Sequence, residues 1–215
     1  MILIYLIFFF LVLRFTVTLF NFLSNPKLTN SFRQYDDFVS ILIPARNEEA
    51  DIQHLLHSIS LQNYQNYEVI ILDDNSTDRT FQVCQDFCEH HERFKVLPGA
   101  PLPKDWLGKN FACFQLANSA QGKYLIFLDA DETIADGLIN NSIHRMKLNR
   151  LSLLSLFTDQ IMLTWGERLV VPLMHFVLLN LLPLRLVRLS KNPSFSAASG
   201  QFMMFDGVNY KDNQW

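Results

Sequence analysis

The run Ile126-Phe-Leu-Asp-Ala-Asp131 constrains this chain more than any other stretch. An apolar segment, Tyr124 to Leu128, stops abruptly at two carboxylates one residue apart. Uninterrupted apolar residues ending in Asp-x-Asp describe a buried central strand that carries acids to its carboxyl edge, where open α/β sheets bind ligands. Two carboxylates so close repel unless a positive charge lies between them. A hard divalent cation with oxygen ligands, its shell completed by substrate phosphates, meets that need. An ordinary Asp-capped turn is the competing account of a lone Asp-x-Asp, and the upstream sequence speaks against it.

Two earlier runs end the same way. Tyr67-Glu-Val-Ile-Ile-Leu72 leads into Asp73-Asp-Asn-Ser-Thr-Asp78, and Val39-Ser-Ile-Leu-Ile43 into Pro44-Ala-Arg-Asn-Glu-Glu49. Asn75 and Ser76 suit a tight turn, and Thr77 or Asp78 suits a helix N-cap. Ile52, Leu55, Leu56 and Ile59 fall at i, i+3, i+4 and i+7, which predicts an amphipathic helix with one face on a sheet. Phe81, Cys84, Phe87 and Cys88 repeat the pattern. A short strand over 94–97, a proline-rich loop, and helices over 110–120 and 136–149 follow, with a strand over 151–157. Strands alternating with helices predict a parallel sheet with right-handed crossovers. Three strands that each end in polar, mostly acidic residues point to a nucleotide-binding sheet.

The series Ile43-Pro-Ala-Arg-Asn-Glu-Glu49, Leu72-Asp-Asp-Asn-Ser-Thr-Asp78, Trp106-Leu-Gly-Lys109 and Leu128-Asp-Ala-Asp131 resembles the amino-terminal half of family-2 glycosyltransferases with the GT-A fold. Trp106-Leu-Gly-Lys109 and Ala198-Ser-Gly-Gln-Phe202 are most similar to the membrane-associated branch acting on carotenoid, hopanoid and ceramide-type acceptors. The resemblance covers residues 38 to 206. It implies a mostly parallel sheet flanked by helices, and inverting transfer from a UDP-sugar to a lipid-like acceptor with Mg²⁺ or Mn²⁺. It carries direct metal ligation to Asp131, and a bond to the ribose or a metal-bound water to Asp129. It places Asp73 and Asp74 on the nucleoside, where a carboxylate accepting from a uracil imide selects uridine over cytidine. Pro44, Arg46, Glu48 and Lys109 fall on positions around base, ribose and phosphates. The competing accounts are solvated loop cations for Arg46 and Lys109, and a first-turn helix acid favoured by the dipole for Glu48.

The family's general base lies in a Glu-Asp or similar motif after the acceptor loop, with a Gln-x-x-Arg-Trp-like element further on. Asp206 and Asp212 are the acids of the tail, and neither lies in such a motif. The expectation is therefore a donor half with the base beyond Trp215 and the acceptor half cut off. Two alternatives from other classes are a non-catalytic remnant that binds nucleotide-sugar or a partner, and a nucleotidyltransferase. The lack of a glycine-rich loop near the first strand counts against the latter.

Composition adds a membrane. Of 215 residues 49% are hydrophobic and 19 are Phe, an excess concentrated in 1–23 and 151–189. Residues 1–23 match the roughly 20 needed to span a bilayer, with Arg14 as the one charge. A mid-bilayer Arg costs on the order of 3 kcal/mol, which calls for snorkelling or a shallow helix. The absence of a basic n-region and of a small-x-small cleavage site speaks against a secretory signal. The expected organisation is an anchor at 1–23, a linker at 24–37 and a glycosyltransferase domain at 38–215. Lys27 and Arg33 follow the anchor and no Lys or Arg precedes it, which places the domain on the cytoplasmic face of the cell membrane. The stretch 161–189, broken by Pro172 and Pro183 and closed by Arg185, Arg188 and Lys191, predicts an interfacial helix pair, with an ordinary buried helix as the alternative. A net charge of −3 offers no surface for nucleic acid. Cys84, Cys88, His90 and His91 read as core thiols beside surface histidines rather than as a zinc site. Three unpaired cysteines suit a reducing compartment.

Overall fold

In a computed structural model, the described residues are all but 25, 26, 191 and 214, together with every described residue's side chain except that of 188. Lys191 and the Arg188 side chain, expected at lipid headgroups, and residues 25 and 26 of the expected linker therefore lie outside what is described. The chain runs α1 (Ile2–Ser24), β1 (Val39–Ala45), α2 (Ile52–Ser60), β2 (Tyr67–Asp73), α3 (Thr80–Cys88) and β3 (Phe94–Pro98). It continues as α4 (Gly108–Ser119), β4 (Tyr124–Leu128), α5 (Leu138–Asn149), β5 (Leu153–Leu156), α6 (Trp165–Leu181) and α7 (Leu184–Leu189). A 3₁₀ turn (Pro193–Phe195), β6 (Phe202–Asp206) and α8 (Gly207–Asn213) complete it. Two compact units share these elements, one comprising 28–157 with 198–215 and the other 1–27 with 158–197.

The larger unit is built on a six-stranded sheet of order β3-β2-β1-β4-β6-β5. β1 pairs in parallel with β2 on one side and β4 on the other, and β2 with β3. Strands buried on both faces read as continuous apolar runs, and Ile41–Ile43 and Val69–Leu72 do so. The period of two sends alternate residues to opposite faces. Ile41, Ile43, Val69, Ile71 and Ile126 meet the apolar stripes of α2 and α5, while Leu42, Ile70, Leu125 and Phe127 meet Ala112, Leu116 and Ala117 of α4. The α2 stripe expected from spacing, Ile52, Leu55, Leu56 and Ile59, is fully buried. Cys84 lies in the same core, and burial, reinforced by the nearby Cys88 and Asp73, pushes its thiol up to about 12. A thiol held protonated in this way is an inert packing group.

Three findings differ from the sequence reading. The sheet is mixed, because β6, a segment read only as a motif, lies antiparallel between β4 and β5. Its five residues carry no β-branched side chain, so no local signal marks it. Only the return of the chain to the open flank of β4 makes it a strand. The helix expected to break at Pro172 continues through it. A proline removes one i→i−4 donor and crowds the preceding turn, and α6 absorbs this within a helix whose ends are secured elsewhere. Its first turn is closed by a capping box in which Thr164 accepts from Glu167 N while Glu167 accepts from Thr164 N. Finally, Arg79 takes the N-cap position of α3 that was expected of Thr77 or Asp78, and Asp78 beside it accepts from the Thr80 amide at 3.0 Å and its hydroxyl at 2.6 Å.

The start of β4 depends on one close approach. Gly122 donates its amide to Ser40 Oγ at 2.8 Å, and a Cβ added there would lie 2.4 Å from Ser40 N and 2.7 Å from Tyr124 O. Both obstacles are backbone, so the β1–β4 register itself would have to shift. Gly122→Ala is expected to destabilise the fold by at least about 2 kcal/mol, as overpacking does. Gly200→Ala, with nothing within 4 Å, is expected to be near neutral. Chemical denaturation of the two variants checks this, and equal midpoints would contradict it.

Candidate active site

Parallel pairing sets the carboxyl ends of β1, β2 and β4 along one edge of the sheet. The register matches Ala45 with Asp73 and Leu42 with Phe127, so the residues that follow each strand emerge side by side. Connections from β1 lead outward to β2 on one flank and return to β4 on the other, which makes the β1/β4 boundary a topological switch point. Crevices form at such points because successive loops part in opposite directions. A cleft of about 330 Å³ lies there, lined by Pro44 of β1 with Arg46 and Glu48 after it, Asp74 just after β2, Gly108 and Lys109 from α4, and Asp129 to Asp131 just after β4.

The two loops above β1 and β2 are laced together. Asn47, at φ 57°, donates its amide to Ser76 Oγ at 3.0 Å and accepts from the Thr77 amide at 2.8 Å. The Glu48 amide donates to Thr80 Oγ1 at 2.8 Å, and Glu49 accepts from the Arg79 amide at 2.8 Å. Asn75 also adopts a left-handed φ of 56°, which Asn tolerates better than most residues. These bonds cross between loops thirty residues apart in sequence and hold the acid-bearing turns in place. Sequence reading did not pick out Asn47 as a lacing residue. Its left-handed geometry is a property of the folded turn.

Asp73 and Asp74 are both buried, at 8% and 9% exposure. Asp73 accepts from Ser76 N at 3.2 Å through one oxygen, and its other oxygen, Oδ1, is buried with no hydrogen-bond partner among the described residues. Buried polar atoms are rarely left unpaired, which sets this oxygen apart from the other carboxylate oxygens here. Asp73 lies beside the cleft and is not among its lining residues, whereas Asp74 lines it and faces Arg46 Nη1 at 3.7 Å. Backbone fixes both. The Asp74 amide donates to Ala45 O at 2.8 Å, and the Gly99 amide to Asp73 O at 2.8 Å. A Cβ on Gly99 would lie 2.8 Å from that same oxygen, which explains a glycine at the end of β3.

Across the cleft, Lys109 Nζ donates to Asp129 Oδ1 at 2.5 Å. The Asp129 amide donates to Gln201 O at 3.3 Å, so the segment before β6 supports the Asp-x-Asp turn. Asp131 is exposed into the cleft. The lining thus gathers four carboxylates, Glu48, Asp74, Asp129 and Asp131, against two cations, Arg46 and Lys109. Glu48 registers the imbalance. Burial, and then the nearby charges of Asp131, Asp51, Asp129 and Asp78, raise its carboxyl above the usual range. Among the described residues no group of three His, Cys, Asp or Glu side chains forms a closed metal cage. A cation held by one or two carboxylates together with substrate phosphates, as Mg²⁺ commonly is, needs no such group. Every residue expected around the nucleotide is therefore in or against one cleft. Gly108, Ala112 and Ala130, which complete its wall, are small residues that carry no chemical signal in sequence.

The family model for glycosyl transferase family 2 matches residues 40–209, most of the chain and all of this cleft. The chain belongs to glycosyl transferase family 2. It is 36% identical over 104 residues to beta-monoglucosyldiacylglycerol synthase of Nostoc sp. (strain PCC 7120 / SAG 25.82 / UTEX 2576), a match covering 47% of this chain and 22% of that protein. The solved mannosyltransferase PcManGT from Pyrobaculum calidifontis, in complex with GDP-Man and Mn²⁺, superposes with a TM-score of 0.65 at 19% identity, covering 95% of this chain and 57% of that one. Glucosyl-3-phosphoglycerate synthase from Mycobacterium tuberculosis, in complex with Mn²⁺, UDP and glucosyl-3-phosphoglycerate, superposes with a TM-score of 0.52 at 20% identity, covering 80% of this chain and 57% of that one. The family member described here thus has the GT-A glycosyltransferase fold. It matches less than a quarter of the length of that curated relative.

The raised Glu48 carboxyl has a direct consequence for stability. A folded-state pKa above the ordinary 4.5 means that the fold favours the protonated form. Its contribution is present at low pH and is lost as pH rises through the unfolded and then the folded value. Glu48→Gln is expected to melt higher than the parent at pH 7, with the gap closing below about pH 4. Thermal melts across that range, without added metal, check the sign.

Proposed function

We propose that this chain binds a UDP-sugar with a divalent cation and serves inverting transfer of the sugar to a lipid acceptor at the cytoplasmic face of a membrane. One observation carries the reading: the acids of β2 and β4 and the cations of β1 and α4 converge on a single cleft at the switch point. Asp131 and Asp129 would hold Mg²⁺ or Mn²⁺, which when bound neutralises the departing diphosphate as a Lewis acid. Asp129 keeps Lys109 at the cleft, so a fixed positive charge stands beside the diphosphate. Asp74 and Arg46 flank the nucleoside, and Pro44 forms the rigid floor at the end of β1. A carboxylate of the Asp73–Asp74 pair accepts the imide N–H of uracil, a donor that cytosine lacks. Glu48 bonds the ribose, and a cation bound nearby returns it to the ionised state. These residues bind and orient the donor, and no group that deprotonates the acceptor is assigned among them.

The lipid acceptor is suggested by the name of the diacylglycerol-type relative and by the chain's own apolar helices. α1 is long and apolar enough to cross a membrane, and none of that apolar window is buried. Lys27 and Arg33 after it favour the cytoplasmic orientation.

Calorimetry with UDP and Mn²⁺ tests the site. Affinity is expected to fall at least tenfold on adding EDTA, and Asp131→Asn to bind at that lower level with or without metal. A variant with an unchanged metal response would remove Asp131 from the site. GDP and CDP run beside UDP read the base preference directly, and tighter GDP binding would overturn the uracil assignment. With uridine alone, Asp73→Ala or Asp74→Ala is expected to weaken binding by about 1.5–3 kcal/mol, the worth of a charge-assisted hydrogen bond.

A further inference from the structure

The smaller unit contains a feature that the donor cleft does not explain. Asn21 is the buried residue of α1, at 3% exposure, and its side-chain amide makes three hydrogen bonds to one place. Its Nδ2 donates to Leu179 O and to Leu182 O, both at 2.8 Å, and its Oδ1 accepts from the Leu184 amide at 2.8 Å. One turn earlier, Thr18 Oγ1 donates to Asn180 Oδ1 at 2.6 Å. The place is the elbow between α6 and α7. A helix leaves its last carbonyls without partners, and Pro183 at the elbow has no amide to offer. Asn21 supplies what the elbow lacks.

This arrangement matters because of what α6 exposes. None of its residues is buried, and Leu169, Val170, Leu173, Met174, Phe176 and Val177 are all more than half exposed. Such a surface is unsuited to water. In hydrocarbon the side chains are at home, but unpaired backbone groups are expensive, so an irregular elbow reaches that depth only when another element satisfies it. α7 adds an exposed Arg185, suited to an anionic headgroup.

We propose that the α6–α7 elbow is a second lipid-contacting element, latched to the carboxyl end of α1 through Asn21, so that α6 lies against the bilayer where α1 enters it. The proposal rests on the membrane reading of α1 and adds a specific coupling to it. Its consequence is that the segment leaving the sheet after β5 reaches lipid as one body with the anchor rather than as a free amphipathic helix.

The full chain in vesicles of phosphatidylcholine and phosphatidylglycerol, doped with a lipid bearing a photoreactive acyl chain, tests this by mapping the labelled peptides. In the parent, peptides from both α1 and α6 are expected to label. In Asn21→Leu, close in size and unable to hydrogen-bond, α6 labelling is expected to fall at least threefold while α1 labelling holds. Backbone hydrogen exchange at Leu182 and Leu184 should rise at least tenfold in the same variant. Asn21→Asp keeps the acceptor and loses both donors, and is expected to fall between the two, which guards against a simple folding failure. Labelling of α6 that is equal in parent and variants, or absent from a parent whose α1 is labelled, would overturn the latch. An unlabelled α1 would instead overturn the membrane reading beneath it.

Discussion

Everything chemical in this protein depends on the parallel pairing of β1 with β2 on one side and β4 on the other. A parallel sheet sends all of its strands' carboxyl ends to one edge. Reversal of the winding direction between β1 and β4 opens a crevice there. The acids after β2 and β4 and the cations after β1 and at the head of α4 are scattered over eighty residues of chain, yet they face a volume of about 330 Å³. Two glycines permit close approaches between neighbouring strands. Gly122 lets the start of β4 approach Ser40, and Gly99 lets the end of β3 rest on the Asp73 carbonyl.

Crowded carboxylates work against folding, and the site shows how the chain manages them. Arg46 faces Asp74 and Lys109 binds Asp129, while Glu48 has no such partner among the described residues, and burial with the nearby acids makes it hold its proton more tightly. Asp131 is left exposed, the cheapest place for an unpaired charge. A cleft organised in this way gains most when a cation arrives, since each carboxylate it touches is relieved at once.

Polar groups play the opposite role in the smaller unit. Among apolar side chains, an Asn fully engaged by three backbone partners is a directional contact in a surface that otherwise has no preferred geometry. Hydrophobic burial is non-directional, so helices such as α1 and α6 slide unless something selects a register. Asn21 and Thr18 make that selection.

Strand ends rich in acid, helical stripes of Ile and Leu, and the family motifs were all visible in the chain because they are local and periodic. β1, β2, β4 and α2 follow directly from such patterns, and so does the set of residues around the cleft. Other features carried no local mark. β6 is four ordinary apolar residues and an Asp, and only the empty flank of β4 makes them an antiparallel strand. Pro172 promises a break that the surrounding helix absorbs. The division of labour within the acid pair, with Asp74 lining the cleft and Asp73 buried beside it with one oxygen unpaired, is invisible in two adjacent identical letters. Asn21 reads as one polar residue in an apolar helix until the α6–α7 elbow is folded against it. Side-chain chemistry and local periodicity are written residue by residue, so the sequence by itself determined the family, the parallel strands of the sheet and the acids and cations that follow them. Which oxygens are satisfied, which strand fills a gap and which helix an Asn clasps depend on partners far along the chain, and only the tertiary structure decided them.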